Sequence, residues 1–214
     1  MKRPLLIFLM SYFFLLQKAS AATPDLFLSK ITAIPYNMQL IMQHYTWREG
    51  CPVPLRELSY IQLTYWGFDN KPHQGVLIVN QQIAAETVQI FHQLFLMKFP
   101  IAKIQPLDFY QGDDLKSMAD DNTVGFNCRA LTSDARFFSK HSYGYAIDIN
   151  PIQNPYINNG QVLPYQGIHY LSRNDKIKGI IVKGNNIYNL FTSYGWRWGG
   201  DWQNMKDYQH FEKD

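Results

Sequence analysis

A carboxylate inside a short apolar segment is the feature that most constrains how this chain can fold. Asp148 lies between Ile147 and Ile149, and residues 146–149 read as a buried strand. A carboxylate in such a strand has to be paired or bound to a metal ion, because burying an uncompensated charge is costly. The fold must therefore bring suitable partners to Asp148.

Two histidines have an aspartate nearby in the sequence. His141 and Asp148 are seven residues apart, so one unbroken strand would point them to opposite faces, but Gly144 between them permits a bend. Asp207 and His210 are three residues apart. A turn or the start of a helix would bring this second pair to one side, whereas an extended strand would separate it.

These residue types match the donors that zinc prefers, namely histidine nitrogen and carboxylate oxygen. If His141, Asp148 and His210 bind a metal, the fourth position is open for water, and Asp207 is left to act as general base. The spacing alone is equally compatible with buried Asp–His hydrogen bonds that hold no metal. We expect the other histidines to be structural or solvated: His44, His73, His92 and His169.

Hydrophobic patterning predicts a hairpin followed by a helix in the first half of the chain. Residues 58–68 are rich in β-branched and aromatic side chains and predict a strand, which a turn connects to a second strand at residues 75–79. Apolar residues then recur at helical spacing over residues 83–99, where Asn80 could cap the helix and Pro100 end it.

The second half is less regular. Residues 113–123 predict a loop or a short helix, and residues 150–167 predict a long loop rich in Asn, Pro and Gly. Residues 186–194 predict a second amphipathic helix, which Asn185 could cap and Gly195 could stop. Helices and strands that mix without a βαβ alternation indicate an α+β fold.

The bulk composition fits one domain, which we place at residues 22–214. A chain of 214 residues with 46% hydrophobic content is long enough for one compact core. The segment 1–21 holds three of the 20 basic residues and no acid, which leaves 17 basic against 17 acidic residues in the remainder. An overall neutral domain gives no indication of nucleic-acid binding.

Residues 1–21 read as a signal peptide. Lys2 and Arg3 form the positive start, residues 5–16 form a short apolar run, and residues 19–21 are the small residues that a signal peptidase needs. We therefore expect export to the periplasm or the cell wall, with no stable membrane anchor after cleavage. An uncleaved membrane anchor is the alternative.

Cys51 and Cys128 are the chain's two cysteines. Export would place them in an oxidising compartment, where they could form one disulfide. Two buried free thiols are the alternative.

A long two-part motif connects these observations. The pattern Ser-x-His-x-x-Gly-x-Ala-x-Asp, followed much later by Asp/Glu-x-x-His, is present here as Ser139, His141, Gly144, Ala146 and Asp148, then Asp207 and His210. With it the chain resembles the zinc D-alanyl-D-alanine carboxypeptidase family, which includes VanY-type carboxypeptidases and phage L-alanyl-D-glutamate endopeptidases. Shorter similar segments extend the resemblance over residues 31–213.

The resemblance implies a hedgehog-like α+β fold, with zinc on a central antiparallel sheet flanked by helices. It implies that His141, Asp148 and His210 bind Zn²⁺ and that Asp207 is the catalytic base. Arg129 matches the family's substrate-binding arginine and would hold a carboxylate or the developing oxyanion, although a surface ion pair is the alternative. Ser139 would contact the substrate or orient a ligand.

The expected function is therefore that of an exported zinc peptidase acting on peptidoglycan stem peptides. Among the possible bonds we favour the terminal D-alanyl-D-alanine bond, with the L-alanyl-D-glutamate bond as the alternative. A zinc-containing wall-binding module without activity is a reading from a different class, and the intact Asp207 argues against it.

Overall fold

The computed structural model describes residues 26–131 and 134–214. The predicted signal peptide, residues 1–21, lies outside these ranges. In the part of the chain that is described, no helix is long and apolar enough to cross a membrane.

Helices and short strands alternate irregularly along the chain, which confirms the predicted α+β class. In the described ranges the α-helices are α1 (Tyr36–Tyr45), α2 (Ala84–Leu96), α3 (Asp114–Ala119) and α4 (Asn186–Ser193). The strands are β1 (Ser29–Ala33), β2 (Leu58–Trp66), β3 (Pro72–Asn80), β4 (Lys103–Ile104), β5 (Asn122–Thr123), β6 (Ala146–Asp148), β7 (Tyr156–Asn158), β8 (Gln161–Leu163), β9 (Arg197–Trp198), β10 (Lys206–Asp207) and β11 (His210–Glu212).

The predicted hairpin is present as β2 and β3, which pair antiparallel along their whole length, and β1 adds a third antiparallel strand beside β2. Helix α2 covers one face of this sheet. Its buried residues Ile90 and Leu94 belong to the same apolar cluster as Ile61 and Leu63 of β2. The apolar faces that the sequence patterns predicted therefore meet in one core.

The predicted ends of α2 are wrong in detail. Asn80 does not cap the helix, because its Oδ1 accepts a hydrogen bond from the Gln82 N–H in the preceding turn, 3.0 Å away. The helix begins after Ile83, which makes no side-chain cap. It ends at Leu96, before Lys98 takes up a left-handed conformation with φ 51°, and so it stops short of Pro100.

A second antiparallel sheet has the strand order β6-β11-β9 and carries the predicted buried strand at its edge. Phe211 of β11 pairs with Ile147 of β6 and is fully buried. Its ring stacks on Phe191 of α4 with 4.0 Å between centroids. Asn185 caps α4 as predicted, since its side chain accepts the Tyr188 N–H. This packing fixes β11 against the core.

Residues 124–126 connect the two sheets. The Phe126 N–H donates to Ile78 O of β3 at 2.8 Å, and Val124 exchanges two hydrogen bonds with Asp148 of β6, at 3.0 and 2.9 Å. A Cβ on Gly125 would lie 2.3 Å from Ile78 O, so only glycine allows this close approach. Strand β6 is thereby held from both sides.

The prediction of a loop over residues 150–167 is wrong in part. This segment contains the hairpin of β7 and β8, and β7 also pairs with β10, where Asp207 lies opposite Tyr156. Asn159 and Gly160 form the turn with φ 49° and 77°, the left-handed pair that a two-residue hairpin turn requires. The Asn-Gly signal was present in the sequence.

The structure joins Cys51 and Cys128 in a disulfide, with 6.0 Å between their Cα atoms. Two hydrogen bonds support the same contact. The Cys128 N–H donates to Thr46 O at 3.0 Å, and the Arg48 guanidinium donates to Cys128 O at 3.0 Å. The chain after α1 is thus fastened to the segment that leads into Arg129.

One buried carboxylate lies apart from the predicted site and should govern part of the pH dependence of stability. Asp108 is 4% exposed and accepts a hydrogen bond from the Thr46 hydroxyl at 2.7 Å. Burial raises its pKa to about 6. The folded protein therefore binds this proton more tightly than the unfolded chain, and stability is lost as pH rises from about 4 through 6.

The variant Asp108→Asn keeps the acceptor for Thr46 and removes the titration. Relative to wild type, its free energy of unfolding should rise by about 2 kcal/mol between pH 4 and pH 7, measured by urea denaturation. Asp175→Asn, in an exposed loop, is the control and should follow wild type. A constant difference between Asp108→Asn and wild type at all pH values would contradict this assignment.

Candidate active site

His141 reaches the site through a short turn that the sequence predicted as a bend. It lies in the 3₁₀ turn Lys140–Tyr143, where the Ser139 hydroxyl accepts the His141 N–H at 3.3 Å. Gly144 ends the turn in the left-handed region, with φ 72°. The chain then enters β6, so His141 and Asp148 approach the same point.

His210 and Asp148 meet because β6 and β11 pair in a register that places them directly opposite each other. His210 Nδ1 lies 2.9 Å from Asp148 Oδ1. His141 Nε2 lies 3.2 Å from Asp148 Oδ2 and 3.2 Å from His210 Nδ1. The structure thus brings three predicted ligands together, and all three are buried.

The outer nitrogens of both imidazoles have acceptors that orient the rings. His141 Nδ1 lies 2.5 Å from Gly125 O, and His210 Nε2 lies 3.3 Å from Glu212 Oε2. A carbonyl oxygen can only accept, so Nδ1 of His141 carries a proton and Nε2 of a neutral ring turns its lone pair toward Asp148. Two acceptors 3.2 Å apart are favourable only when a cation, either a proton or a metal ion, lies between them.

The donor set fits a zinc ion. Ligand atoms about 2.0–2.1 Å from a tetrahedral ion are separated from one another by about 3.3 Å. The three observed separations of 2.9 to 3.2 Å are close to that value. Outer acceptors on both histidines are also typical of metal ligands, because they fix the tautomer and the ring orientation. His141, Asp148 and His210 are therefore suited to hold the metal.

The charges around this group also favour a cation. Burial would raise the pKa of Asp148, but the charges and hydrogen bonds of His141 and His210 lower it far below its usual value. Burial opposes the charged form of His210, yet hydrogen bonds to Asp148 and Glu212 and the charge of Asp207 raise its pKa to about 10. The carboxylates of Asp148, Asp207 and Glu212 thus favour a proton on His210, and a bound metal ion could take the place of that proton.

Asp207 lies beside the three ligands. The turn between β10 and β11 brings it to the same side as His210, since a Cβ on Gly199 would lie 2.8 Å from Asp207 Cβ and 3.3 Å from His210 Cβ. Its Oδ1 is buried without a hydrogen-bond partner among residues 26–131 and 134–214. Burial and the charge of Asp148 raise the pKa of Asp207 to about 6. Such a carboxyl group is well suited to exchange protons near neutral pH.

Arg129 is held at the edge of the site by several contacts. Its Nε lies 2.5 Å from Asp114 Oδ2, at the start of α3. Its backbone N–H donates to the Ser142 hydroxyl at 2.9 Å, and its carbonyl accepts the Ser139 N–H at 3.0 Å. The ion pair that was the alternative prediction for Arg129 is therefore present, but both of its members face the cleft.

The cleft beside the ligands has two lobes. The α3 lobe, of about 230 Å³, includes Asp114 and Gln209, and the Trp202 lobe, of about 250 Å³, includes Ser139 and Trp202. Both lobes are lined by the same three residues near the ligands: Arg129, Tyr156 and Asp207. A bound chain could therefore extend from the ligands in two directions.

Three parts of this site were not predicted from the sequence: the β7–β8 hairpin, Asp114 and Glu212. Glu212 lies two residues after His210, so its side chain leaves the same face of β11, and that spacing could have identified it. Nothing in the sequence indicates that Asp114 would meet Arg129. The contact depends on how α3 packs.

A buried His–Asp–His group beside an open cleft and an adjacent carboxylate defines a candidate metal-dependent hydrolytic centre. Residues 132–213 match the model of a peptidase family described as D-alanyl-D-alanine carboxypeptidase. This match supports the family resemblance over this part of the chain, and it supports a peptidase. Neither the curated proteins nor the solved structures give a significant match to the chain.

The matched segment contains five of the predicted site residues: Ser139, His141, Asp148, Asp207 and His210. Arg129 precedes it, so the assignment of Arg129 rests on its place in the cleft.

Removal of one ligand should abolish metal binding. Saturating Zn²⁺, at about 100 times its Kd, should raise the Tm of the wild-type protein by roughly 5–10 °C, because the ion binds only the folded chain. In His210→Ala most of this shift should disappear, and atomic emission should find less than one tenth of the bound zinc.

His92→Ala is the matched control, because His92 lies on an exposed part of α2 and stacks on Phe27. It should bind zinc as wild type does. Full zinc binding by His210→Ala would rule out the proposed ligand set.

Proposed function

We propose that the protein is an exported zinc peptidase that removes the terminal D-alanine from peptidoglycan stem peptides. The observation that carries this proposal is the convergence of His141, Asp148 and His210, with Asp207 beside them and the two-lobed cleft next to them. Residues 22–214 would form the peptidase domain, and residues 1–21 the signal peptide.

Zinc is the cofactor that this donor set favours. Two imidazole nitrogens and one carboxylate oxygen leave one position for water or substrate. When bound there, zinc would polarise the scissile carbonyl and lower the pKa of a water molecule to about 7.

Asp207 would carry the proton in amide hydrolysis. Its carboxylate takes a proton from the attacking water, whose oxygen forms the new bond to the carbonyl carbon. The C–N bond then breaks, and Asp207 passes the proton to the leaving nitrogen, which gives a carboxylic acid and an amine. The buried Oδ1 without a protein partner is the atom free for this exchange in the described part of the chain.

Arg129 would supply a fixed positive charge at the point where the lobes meet. In a carboxypeptidase this charge pairs with the terminal carboxylate of the peptide, and it can also stabilise the developing oxyanion. Asp114 holds Nε, so the guanidinium has a defined orientation. A guanidinium in a defined orientation at the edge of the cleft would favour short substrates that end in a free carboxylate.

The two lobes favour one other activity. Because the cleft extends in two directions from Asp207, a longer peptide could lie across it, and cleavage of an internal bond such as L-alanyl-D-glutamate is the second candidate. A binding module without activity would have no use for a buried carboxylate beside the ligands, so we favour the enzyme.

Asp207→Asn should separate catalysis from metal binding. It keeps the size of the side chain but removes the base, so kcat should fall by about 10²–10⁴ while zinc content stays unchanged. Asp201→Asn is the control, since Asp201 lies outside the cleft and pairs with Lys183. Full activity in Asp207→Asn would refute its role as the base.

The bond that is cut can be read from the products. Zinc-loaded protein, residues 22–214, would be incubated with pentapeptide muropeptides and the products analysed by mass spectrometry. We expect loss of one alanine. Release of the stem after L-alanine would establish the endopeptidase instead, and no product with zinc bound would contradict the proposed peptidase.

A further inference from the structure

Gln209 is a buried amide at the catalytic centre for which no role has been assigned. It lies between Asp207 and His210 in the chain and is 3% exposed. Its backbone carbonyl accepts the Ile149 N–H at 3.0 Å, which continues the pairing of β6 and β11. This bond fixes the backbone from which the side chain leaves the strand.

That side chain lines the α3 lobe, and its two ends have different surroundings. Nε2 donates to Met118 Sδ at 3.4 Å, and the amide also stabilises the charged form of Asp207. Oε1 is buried and has no hydrogen-bond partner in the described ranges.

Apart from Asp207, polar groups near Gln209 in this lobe have partners of their own. Asn122 Oδ1 accepts the Gln105 N–H at 2.9 Å, and the Ser117 hydroxyl accepts from Asn122 at 3.0 Å. Asp114 pairs with Arg129. A buried amide oxygen without a donor costs about 1–3 kcal/mol. Gln209 Oε1 is thus an acceptor that a donor from a ligand in the lobe would satisfy.

We propose that Gln209 Oε1 accepts a hydrogen bond from the N–H of the scissile amide and so makes the enzyme specific for secondary amides over esters. This inference rests on the proposed peptidase function. The leaving nitrogen must come within reach of Asp207, which returns the proton to it, and Gln209 is the amide beside Asp207 in the α3 lobe. The leaving-group side of the substrate would therefore occupy this lobe.

Protons balance in this arrangement. The scissile nitrogen keeps its own hydrogen, which is bonded to Gln209 Oε1, and receives a second one from Asp207 as the C–N bond breaks. An ester has no N–H at this position and leaves Oε1 without a donor. A bond before proline has none either, so it should also be a poor substrate.

Gln209→Met tests the proposal, because methionine has a similar volume and lacks the amide. Two probes would be compared: acetyl-Lys-D-Ala-D-Ala, and the matched depsipeptide with an ester oxygen in place of the scissile N–H. We expect Gln209→Met to lower kcat/KM about tenfold on the amide and less than twofold on the ester, since only the amide can make the bond.

Gln153→Met is a matched control. Gln153 is also buried, with 7% exposure and an Oε1 that lacks a partner in the described part of the chain, but it does not line the α3 lobe. Gln153→Met should change kcat/KM on the amide and on the ester by the same factor, or should leave both unchanged.

The outcomes separate the two proposals. Equal losses on both probes in Gln209→Met, or no loss on the amide, would overturn the role of Gln209 and leave the peptidase standing. Wild-type protein that cuts neither probe would contradict the proposed D-alanyl-D-alanine specificity, and this inference with it.

Discussion

The pairing of β6 with β11 is the constraint on which the rest of the site depends. Its register sets His210 opposite Asp148, two residues that are 62 positions apart in the chain. A shift of one residue would turn His210 to the other face of the strand and replace it with an apolar or amide side chain. The burial of Phe211 in the core opposes such a shift, so packing energy and ligand geometry are coupled.

This register creates an electrostatic problem that a cation solves. Asp148 and His210 are buried, Asp207 and Glu212 lie close to them, and burying several charges is costly without compensation. Without an ion, a proton on His210 supplies the positive charge. Zinc would supply a larger positive charge. It would also bind the lone pair of His141 Nε2, which is available because the Gly125 carbonyl holds the ring proton on Nδ1. The fold is thus built around a charged group as well as an apolar core.

The sequence pointed to His141, Asp148 and His210, which the structure brings together, because their spacing has a direct structural meaning. Asp148 stood out as a charge in an apolar strand, and Gly144 explained how His141 could reach it. The family resemblance then implied their roles as metal ligands, and the match over residues 132–213 supports the resemblance. The two helices and the first hairpin also followed from periodicity, although the ends of α2 depended on local hydrogen bonds that periodicity does not contain.

Other parts of the site could not be found in this way. The walls of the cleft come from residues that are close only after folding, such as Asp114 with Arg129, and no short-range pattern encodes that contact. The β7–β8 hairpin was hidden because its strands are three residues long and their alternation is weak, despite the Asn-Gly turn. Gln209 could not be selected from the sequence, because the observation that distinguishes it is the burial of its amide.

The central claim is that three side chains from separate parts of the chain hold one metal ion. Anomalous diffraction at the zinc absorption edge, from crystals of the zinc-loaded protein, tests it most directly. The account predicts one strong peak about 2.0–2.2 Å from His141 Nε2, His210 Nδ1 and an Asp148 carboxylate oxygen. A zinc peak elsewhere, with hydrogen-bonded histidines at this position, would contradict it.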